Sequence, residues 1–359
     1  MDDKRTVILH YGMSKTGSSS IQSSLYKALH GESEYIDLGA ANANSQLIVA
    51  FSDFAQESST IRKRGWSQEK INEKRREVRA RLRQSIKRST ASKLIVSGEC
   101  LSSWFEETDL RRLKNFLERL DMSAQAVGYV RRPKSFMESM FQQTLKGGAG
   151  RHLDACHQFY PQYQRRFDRF DTVFGAENVK CWLFSPEALY CNDVVTDFCE
   201  RVGFAPKKQG ATRKNDSLSL SAVSLLYFYR RYGEPFGVGP TAMRENQQLV
   251  ARLSEIGGPK FKLHSALVQP VIEANSADID WMERRHNCSL HENLCAEDEF
   301  AVRFEGDFLD AAVSALPWLE AQLQEQDISS APTSEPSRYI AWLMGCLRKS
   351  LKGQVDSHA

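Results

Sequence analysis

The chain has 359 residues, 41% of them hydrophobic, which is enough for one catalytic domain with appendages and a large core. Its 48 Lys and Arg against 45 Asp and Glu leave a formal charge of +3, too near neutrality for a protein that tracks a duplex through a broad phosphate footprint. Nucleic acid is therefore not expected as a partner, and any anionic ligand must be met locally. No apolar run approaches the ~18 residues of a transmembrane segment, and the opening MDDKRTVILHYGMSK carries no signal-like hydrophobic stretch. Eight cysteines (Cys100, Cys156, Cys181, Cys191, Cys199, Cys288, Cys295, Cys346) lie scattered without a CxxC pair. These features together predict a soluble, cytoplasmic protein with reduced thiols.

Residues 6–11 (TVILHY) form a short, β-branched, apolar run that stops at Gly12, the profile of a buried strand in a parallel sheet. A polar loop with two glycines follows. From Ser18 onward Ile21, Leu25, Ala28 and Leu29 recur at helical spacing, with a stop expected at Gly31. Residues 93–97 (KLIVS), 125–130 (QAVGYV) and 179–184 (VKCWLF) predict further strands with helical patterns between them. This alternation implies an α/β fold, a mostly parallel sheet flanked by helices, with a helical C-terminal part. Ligands of such sheets sit beyond the carboxyl ends of the strands, so segments 12–20, 98–104 and 131–134 are expected to converge on one crevice.

Between Arg62 and Lys93 stand thirteen Lys or Arg and three Glu. The run reads as a solvated helix leading into KLIVS, with contact to an acidic polymer as the alternative. Beyond about residue 215, segments 218–232, 266–283 and 308–324 predict helices. The expected organisation is a catalytic domain over 1–325, with a core at about 5–215 and a helical cap at about 216–325, then a linker and an amphipathic helix over 326–359. The linker composition lies at 327–337, and the apolar stripe of the last helix is expected to dock on its own protein or on a second subunit, which leaves a homodimer open.

The loop Gly12-Met13-Ser14-Lys15-Thr16-Gly17-Ser18-Ser19-Ser20 places a lysine, two glycines and a row of hydroxyls where a strand feeds a helix. Helix-start N–H groups and the positive end of the helix dipole make an anion site there, the glycines let the backbone approach closely, and Lys15 adds a full charge. A Walker A loop requires its lysine after the second glycine, whereas Lys15 precedes Gly17. The order K-T-G-S-S-S resembles the 5′-phosphosulfate loop of sulfotransferases that use 3′-phosphoadenosine 5′-phosphosulfate (PAPS). A second match follows QAVGYV: Arg131 at the strand end and Ser139 eight positions later resemble the pair that holds the donor's 3′-phosphate in that superfamily. Physically, Arg131 can fork onto a phosphate and Ser139 can offer a hydroxyl from the next helix. SGECLSSW, after a strand, and Asn215-Asp216-Ser217-Leu218-Ser219 extend the likeness over roughly residues 5–215.

The resemblance implies a P-loop-NTPase-like sulfotransferase fold and the transfer of a sulfuryl group from PAPS to a hydroxyl acceptor by in-line displacement. In carbohydrate-type members a glutamate near the reacting hydroxyl serves as base, and Glu99 stands at the corresponding kind of place. Ser14, Lys15, Thr16, Gly17, Ser18, Ser19, Ser20, Arg131 and Ser139 would hold the donor. Lys15 would also act in catalysis, and no metal is expected. Two departures point away from the small-molecule subgroup: Ser20 stands where an adenine-stacking tryptophan is common, and Arg213-Lys214 run into Asn215 rather than glycine. A saccharide is the leading acceptor. The rival readings are a nucleotide-dependent, kinase-like transferase and a non-catalytic binder of acidic polymers. His286, Cys288, His291 and Cys295 match no common zinc spacing, and His10, at the first strand's end, reads as a satisfied buried histidine.

Overall fold

The short apolar runs pair into one sheet because their β-branched side chains fill both faces of a pleated surface. In the computed structural model, residues 5–26, 29–30, 32–204, 217–237, 239–323 and 335–356 are described. In chain order the first elements are β1 (Thr6–His10), α1 (Ser18–Leu25), β2 (Leu29–His30), β3 (Ser33–Tyr35), α2 (Asn44–Phe51), α3 (Ser59–Lys63), α4 (Gln68–Arg88) and β4 (Lys93–Ser97). Then come α5 (Cys100–Ser103), α6 (Glu107–Glu118), β5 (Ser123–Val130), α7 (Pro133–Lys146), α8 (Tyr163–Phe174), β6 (Val179–Leu183) and α9 (Val194–Val202). The remaining helices are α10 (Leu220–Tyr232), α11 (Pro240–Leu253), α12 (Ser265–Ala274), α13 (Ser276–His286), α14 (Glu305–Ser314), α15 (Leu316–Ala321) and α16 (Pro336–Asp356).

The strand order is β2-β3-β4-β1-β5-β6, parallel throughout except for the antiparallel β2–β3 pair. His10 stands beside Ser97 on one side and Val127 on the other, so β1, β4 and β5 end in step. On one face, Ile8, Ile95 and Tyr129 pack with Ile21 and Leu25 of α1 and Phe198 of α9. On the other face the Tyr11 ring lies 5.5 Å from Phe167 and 4.8 Å from Phe170, both on α8. The fold is therefore the parallel α/β class that the alternation of patterns predicts.

The chain divides into two compact units. The first comprises Met1–Arg132, Gln162–Lys214 and Ala277–Leu290 and contains the sheet; the second comprises Pro133–Pro161, Asn215–Ser276 and His291–Ala359. The second unit is helical around α10: Phe141 stacks on Phe308 at 6.0 Å, and Tyr227 on Phe308 at 4.5 Å. Ile340, Leu343, Met344 and Leu347 of α16 are buried in the same core, so the apolar stripe of the last helix docks on its own unit. The linker segment 327–337 lies outside the described residues up to 334.

Several element boundaries differ from the sequence pattern. α1 ends at Leu25 rather than near Gly31, because Tyr26 turns extended (φ −57°, ψ 126°) and its hydroxyl donates to Asp37 Oδ1 at 2.7 Å. The 266–283 segment is two helices parted at Asn275, and the 308–324 segment divides into α14 and α15, with Pro317 in the first turn of α15 where its missing N–H costs nothing. The basic run forms α4, with Lys70–Glu73 and Lys74–Glu77 pairs at 2.8 and 2.6 Å. Its arginines also do structural work: Arg75 donates to Val49 O (3.0 Å) and Ser52 O (2.7 Å), and Arg79 to Ala50 O (2.8 Å), which satisfies carbonyls at the end of α2.

Candidate active site

The loop after β1 is shaped by its tie to β5. Tyr11 N donates to Val127 O (3.0 Å), Met13 N to Tyr129 O (2.9 Å), and Tyr129 N to Gly12 O (2.6 Å). Gly128 makes this approach feasible, since a Cβ there would lie 2.2 Å from Gly12 O and 2.4 Å from the Tyr11 ring. Gly12 itself has φ +89°, and its missing Cβ would stand 3.2 Å from Glu99 Cγ and 3.5 Å from Ser18 Oγ. Lys15 (φ 69°) and Gly17 (φ 76°), the N-cap of α1, then turn the chain into the helix, where Ser20 N donates back to Gly17 O at 2.9 Å and leaves Ser18 and Ser19 N–H as the helix-start amides.

The hydroxyls divide by task. Thr16 Oγ1 donates to Met13 O at 2.6 Å and holds the turn, while Ser18 Oγ donates to the same carbonyl at 3.3 Å. Ser18 and Ser20 are buried, Ser14 is half-buried, and Ser19 faces solvent.

Glu99 follows β4 and forms the N-cap of α5. Gly98 N donates to His10 O at 3.0 Å, which brings the ends of β1 and β4 together. Burial raises the Glu99 carboxyl above its usual range, with the Ser18 hydroxyl and the Lys15 charge pulling the other way. Burial likewise lowers the Lys15 ammonium, opposed by Glu99 and reinforced by repulsion from Arg131. Arg131 leaves the end of β5, donates from Nη1 to Lys15 O at 2.9 Å, and lies 5.7 Å from the Phe184 ring centre. Tyr163 Oη donates to Arg131 O at 2.6 Å and fixes the strand end. Lys15, Ser18, Glu99 and Arg131 thus form one charged group within the first unit.

His10 is fully buried, with Nδ1 at 2.7 Å from Ser97 Oγ, and burial lowers its pKa to about 3. It is a neutral core residue beside the Gln22 amide, which also reaches Ser97 Oγ at 3.0 Å, but the expected satisfied histidine is only half satisfied, since Nε2 is buried with no hydrogen-bond partner.

Ser139 belongs to the second unit, half-buried on α7. At the start of that helix the Glu292 carboxylate accepts from Lys134 N (2.8 Å) and Ser135 N (3.4 Å). One turn on, buried Glu138 accepts from Leu263 N at 2.9 Å, with Lys134 Nζ and Lys262 Nζ each 4.0 Å away. Arg213, Lys214, Asn215 and Asp216 lie outside the described residues; Ser219 caps α10 by accepting from Ala222 N at 3.3 Å. Among the described residues no group of three or more His, Cys, Asp or Glu side chains is placed to hold a metal ion, and no helix is long and apolar enough to cross a membrane.

Sequence reasoning missed Phe184, Tyr163 and Glu292. Phe184 closes the VKCWLF run and was visible there as a strand-end aromatic; Tyr163 and Glu292 act across 32 and 158 residues and leave no local mark.

No family model and no curated protein matches the chain. Among solved structures, a sulfotransferase from Alicyclobacillus acidocaldarius aligns with a TM-score of 0.35 at 16% identity, over 59% of this chain and 86% of that one. A structure of the PezAT chromosomal toxin–antitoxin system of Streptococcus pneumoniae aligns with a TM-score of 0.26 at 12% identity, over 71% and 87%. Likenesses this faint carry no argument about activity, and the functional reading rests on the residues.

Proposed function

We propose that the chain transfers a sulfuryl group from PAPS to the hydroxyl of an acceptor, with a saccharide as the leading class. The observation that supports this reading best is the grouping of Lys15, Ser18 and Glu99 at the joined ends of β1 and β4, with Arg131 clasping the loop backbone. This donor set suits a phosphosulfate anion: a half-buried lysine, helix-start amides and a guanidinium, in a lysine-before-glycine order that differs from the Walker arrangement. PAPS would supply the sulfuryl group and leave as adenosine 3′,5′-bisphosphate.

Within that reading Glu99 accepts the proton of the attacking hydroxyl, a task for which its raised affinity for protons suits it. Lys15 meets the charge that gathers on the bridging oxygen, and the α1 amides with Ser18 hold the 5′-phosphate. Arg131 would take the 3′-phosphate. The polymer-binding alternative is weakened by the use of Arg75 and Arg79 in holding α2.

Calorimetric titration tests the proposal. Adenosine 3′,5′-bisphosphate is expected to bind and ATP with magnesium to fail, and Lys15→Ala should weaken the bisphosphate by about 2 kcal/mol through loss of a charge-assisted contact. Tight binding of ATP without binding of the bisphosphate would overturn it.

A further inference from the structure

The strand end that carries Glu99 meets α1 at two levels. At the upper one, the Cβ that Gly12 lacks would stand 3.2 Å from Glu99 Cγ and 3.5 Å from Ser18 Oγ, so both side chains border the same point. At the lower one, inside the core, Gln22 Nε2 donates to Ser97 Oγ at 3.0 Å, and Ser97 Oγ lies 2.7 Å from His10 Nδ1. All three of these side chains are buried. Gln22 follows Ser18 by four residues and so shares its face of α1, one turn on. Ser97 closes β4 two residues before Glu99.

We infer that Gln22, Ser97 and His10 form a buried latch that sets how far the Glu99 side chain stands from Lys15 and Ser18. The latch itself follows from the contacts; its effect on turnover rests on the sulfuryl-transfer reading. None of the three reaches a reacting atom in that reading, so each is a positioning residue.

The backbone leaves this one relation to the side chains. The donor loop is fastened to β5 by Met13 N to Tyr129 O and Tyr129 N to Gly12 O, and Gly98 N to His10 O keeps the ends of β1 and β4 level. The Gln22–Ser97 bond then holds α1, and Ser18 with it, against the end of β4. Hydrogen counting gives the latch a direction. Ser97 Oγ accepts from the Gln22 amide and spends its one proton on His10 Nδ1. The imidazole, kept neutral because burial lowers its pKa to about 3, carries its own proton on Nε2, which is buried with no hydrogen-bond partner. Such a stranded group costs about 1–3 kcal/mol, which an apolar ring at this position would avoid. The return is an acceptor that turns the Ser97 hydroxyl so that a lone pair faces α1.

The test is carbon-13 titration of the Glu99 carboxyl in the full chain without nucleotide. Facing that carboxyl are Lys15 from the loop and Cys100 from its own turn. Burial raises it, so Gln22→Met, which keeps the side-chain bulk, and Ser97→Ala should each let water in and move its midpoint down toward the ordinary carboxylate value. The double variant should move it no further than Ser97→Ala alone, because both break one chain of bonds. His10→Asn, which keeps an acceptor near the Nδ1 position and deletes the stranded nitrogen, should retain the midpoint, whereas His10→Phe should behave as Gln22→Met does. Gln22→Met should also slow the release of sulfate from PAPS with water as acceptor by about tenfold or more, while adenosine 3′,5′-bisphosphate binds within about twofold of the unaltered chain. A Glu99 midpoint unmoved by Gln22→Met and Ser97→Ala, even with stability lowered, overturns the inference. If the midpoint moves but the unaltered chain binds no bisphosphate, the transfer reading fails and the latch stands; if the bisphosphate binds and the midpoint stays, the latch fails alone.

Discussion

Glu99 and Lys15 are shifted toward each other by a shared cause, the loss of water around both. On the proposed reading, turnover should rise with pH as Glu99 ionises, at a pH above the ordinary carboxylate range. It should fall again as Lys15 loses its proton, below the ordinary lysine range. Glu99→Gln should remove the acid limb and lower kcat by about 10²–10⁴ with bisphosphate affinity retained; pH–rate profiles and calorimetry check both halves. Glu138 gives a stability counterpart. Burial raises its pKa from 4.5 to about 7, against Lys262, the Leu263 N–H and Lys134, with Glu292 adding to the rise. The folded state therefore holds this proton more firmly than the unfolded chain, and the associated stability is present below about pH 4.5 and lost as pH rises to about 7, on the order of 3 kcal/mol. Glu138→Gln, which keeps an acceptor for Leu263 N, should flatten that window in denaturant melts at pH 5 and 8. At this scale the order of Lys15, Thr16 and Gly17 was legible because a loop's order is local, and the meeting of the Arg131 segment with this loop was legible from the strand ends; which atoms meet, Arg131 Nη1 and Lys15 O, 116 residues apart, was not.

Among the elements, the β1–β5 junction is the tightest fit. Gly128→Ala would set a methyl group 2.2 Å from Gly12 O, backbone against which no side chain can yield. A cost of about 3 kcal/mol or more is expected, at the upper end of overpacking effects, read as a lower denaturant midpoint. The strand at Lys93–Ser97 was readable to the residue, since a β-branched apolar run has one reading when flanked by polar segments. β2 and β3 were not, because two or three residues such as Ser33-Glu34-Tyr35 carry no period. The break between α14 and α15 did have a marker in Pro317; the break at Asn275 had none, and Pro270 lies inside α12 without ending it.

For the molecule as a whole, sheet order is the property furthest from sequence: β4 and β5 flank β1 although 82 residues part β1 from β4. The last helix shows how much a distant segment supplies. Arg348 of α16 pairs with Glu245 at 3.0 Å and lies 3.8 Å from the Phe236 ring centre, beside the buried Ile340, Leu343, Met344 and Leu347. Ending the chain at residue 334 should expose the α10 core, and hydrogen exchange is expected to show α10 amides losing protection by orders of magnitude.

The sheet's two margins bear on behaviour at high concentration. On one side the antiparallel β2 is only two residues long, and on the other β6 carries exposed Lys180 in mid-strand, whose carbonyl is already taken by the Tyr11 hydroxyl at 2.8 Å. A foreign strand finds too short a template at the first margin and a charge to desolvate at the second. A six-stranded sheet rich in valine and isoleucine is thereby kept from serving as a seed for fibres.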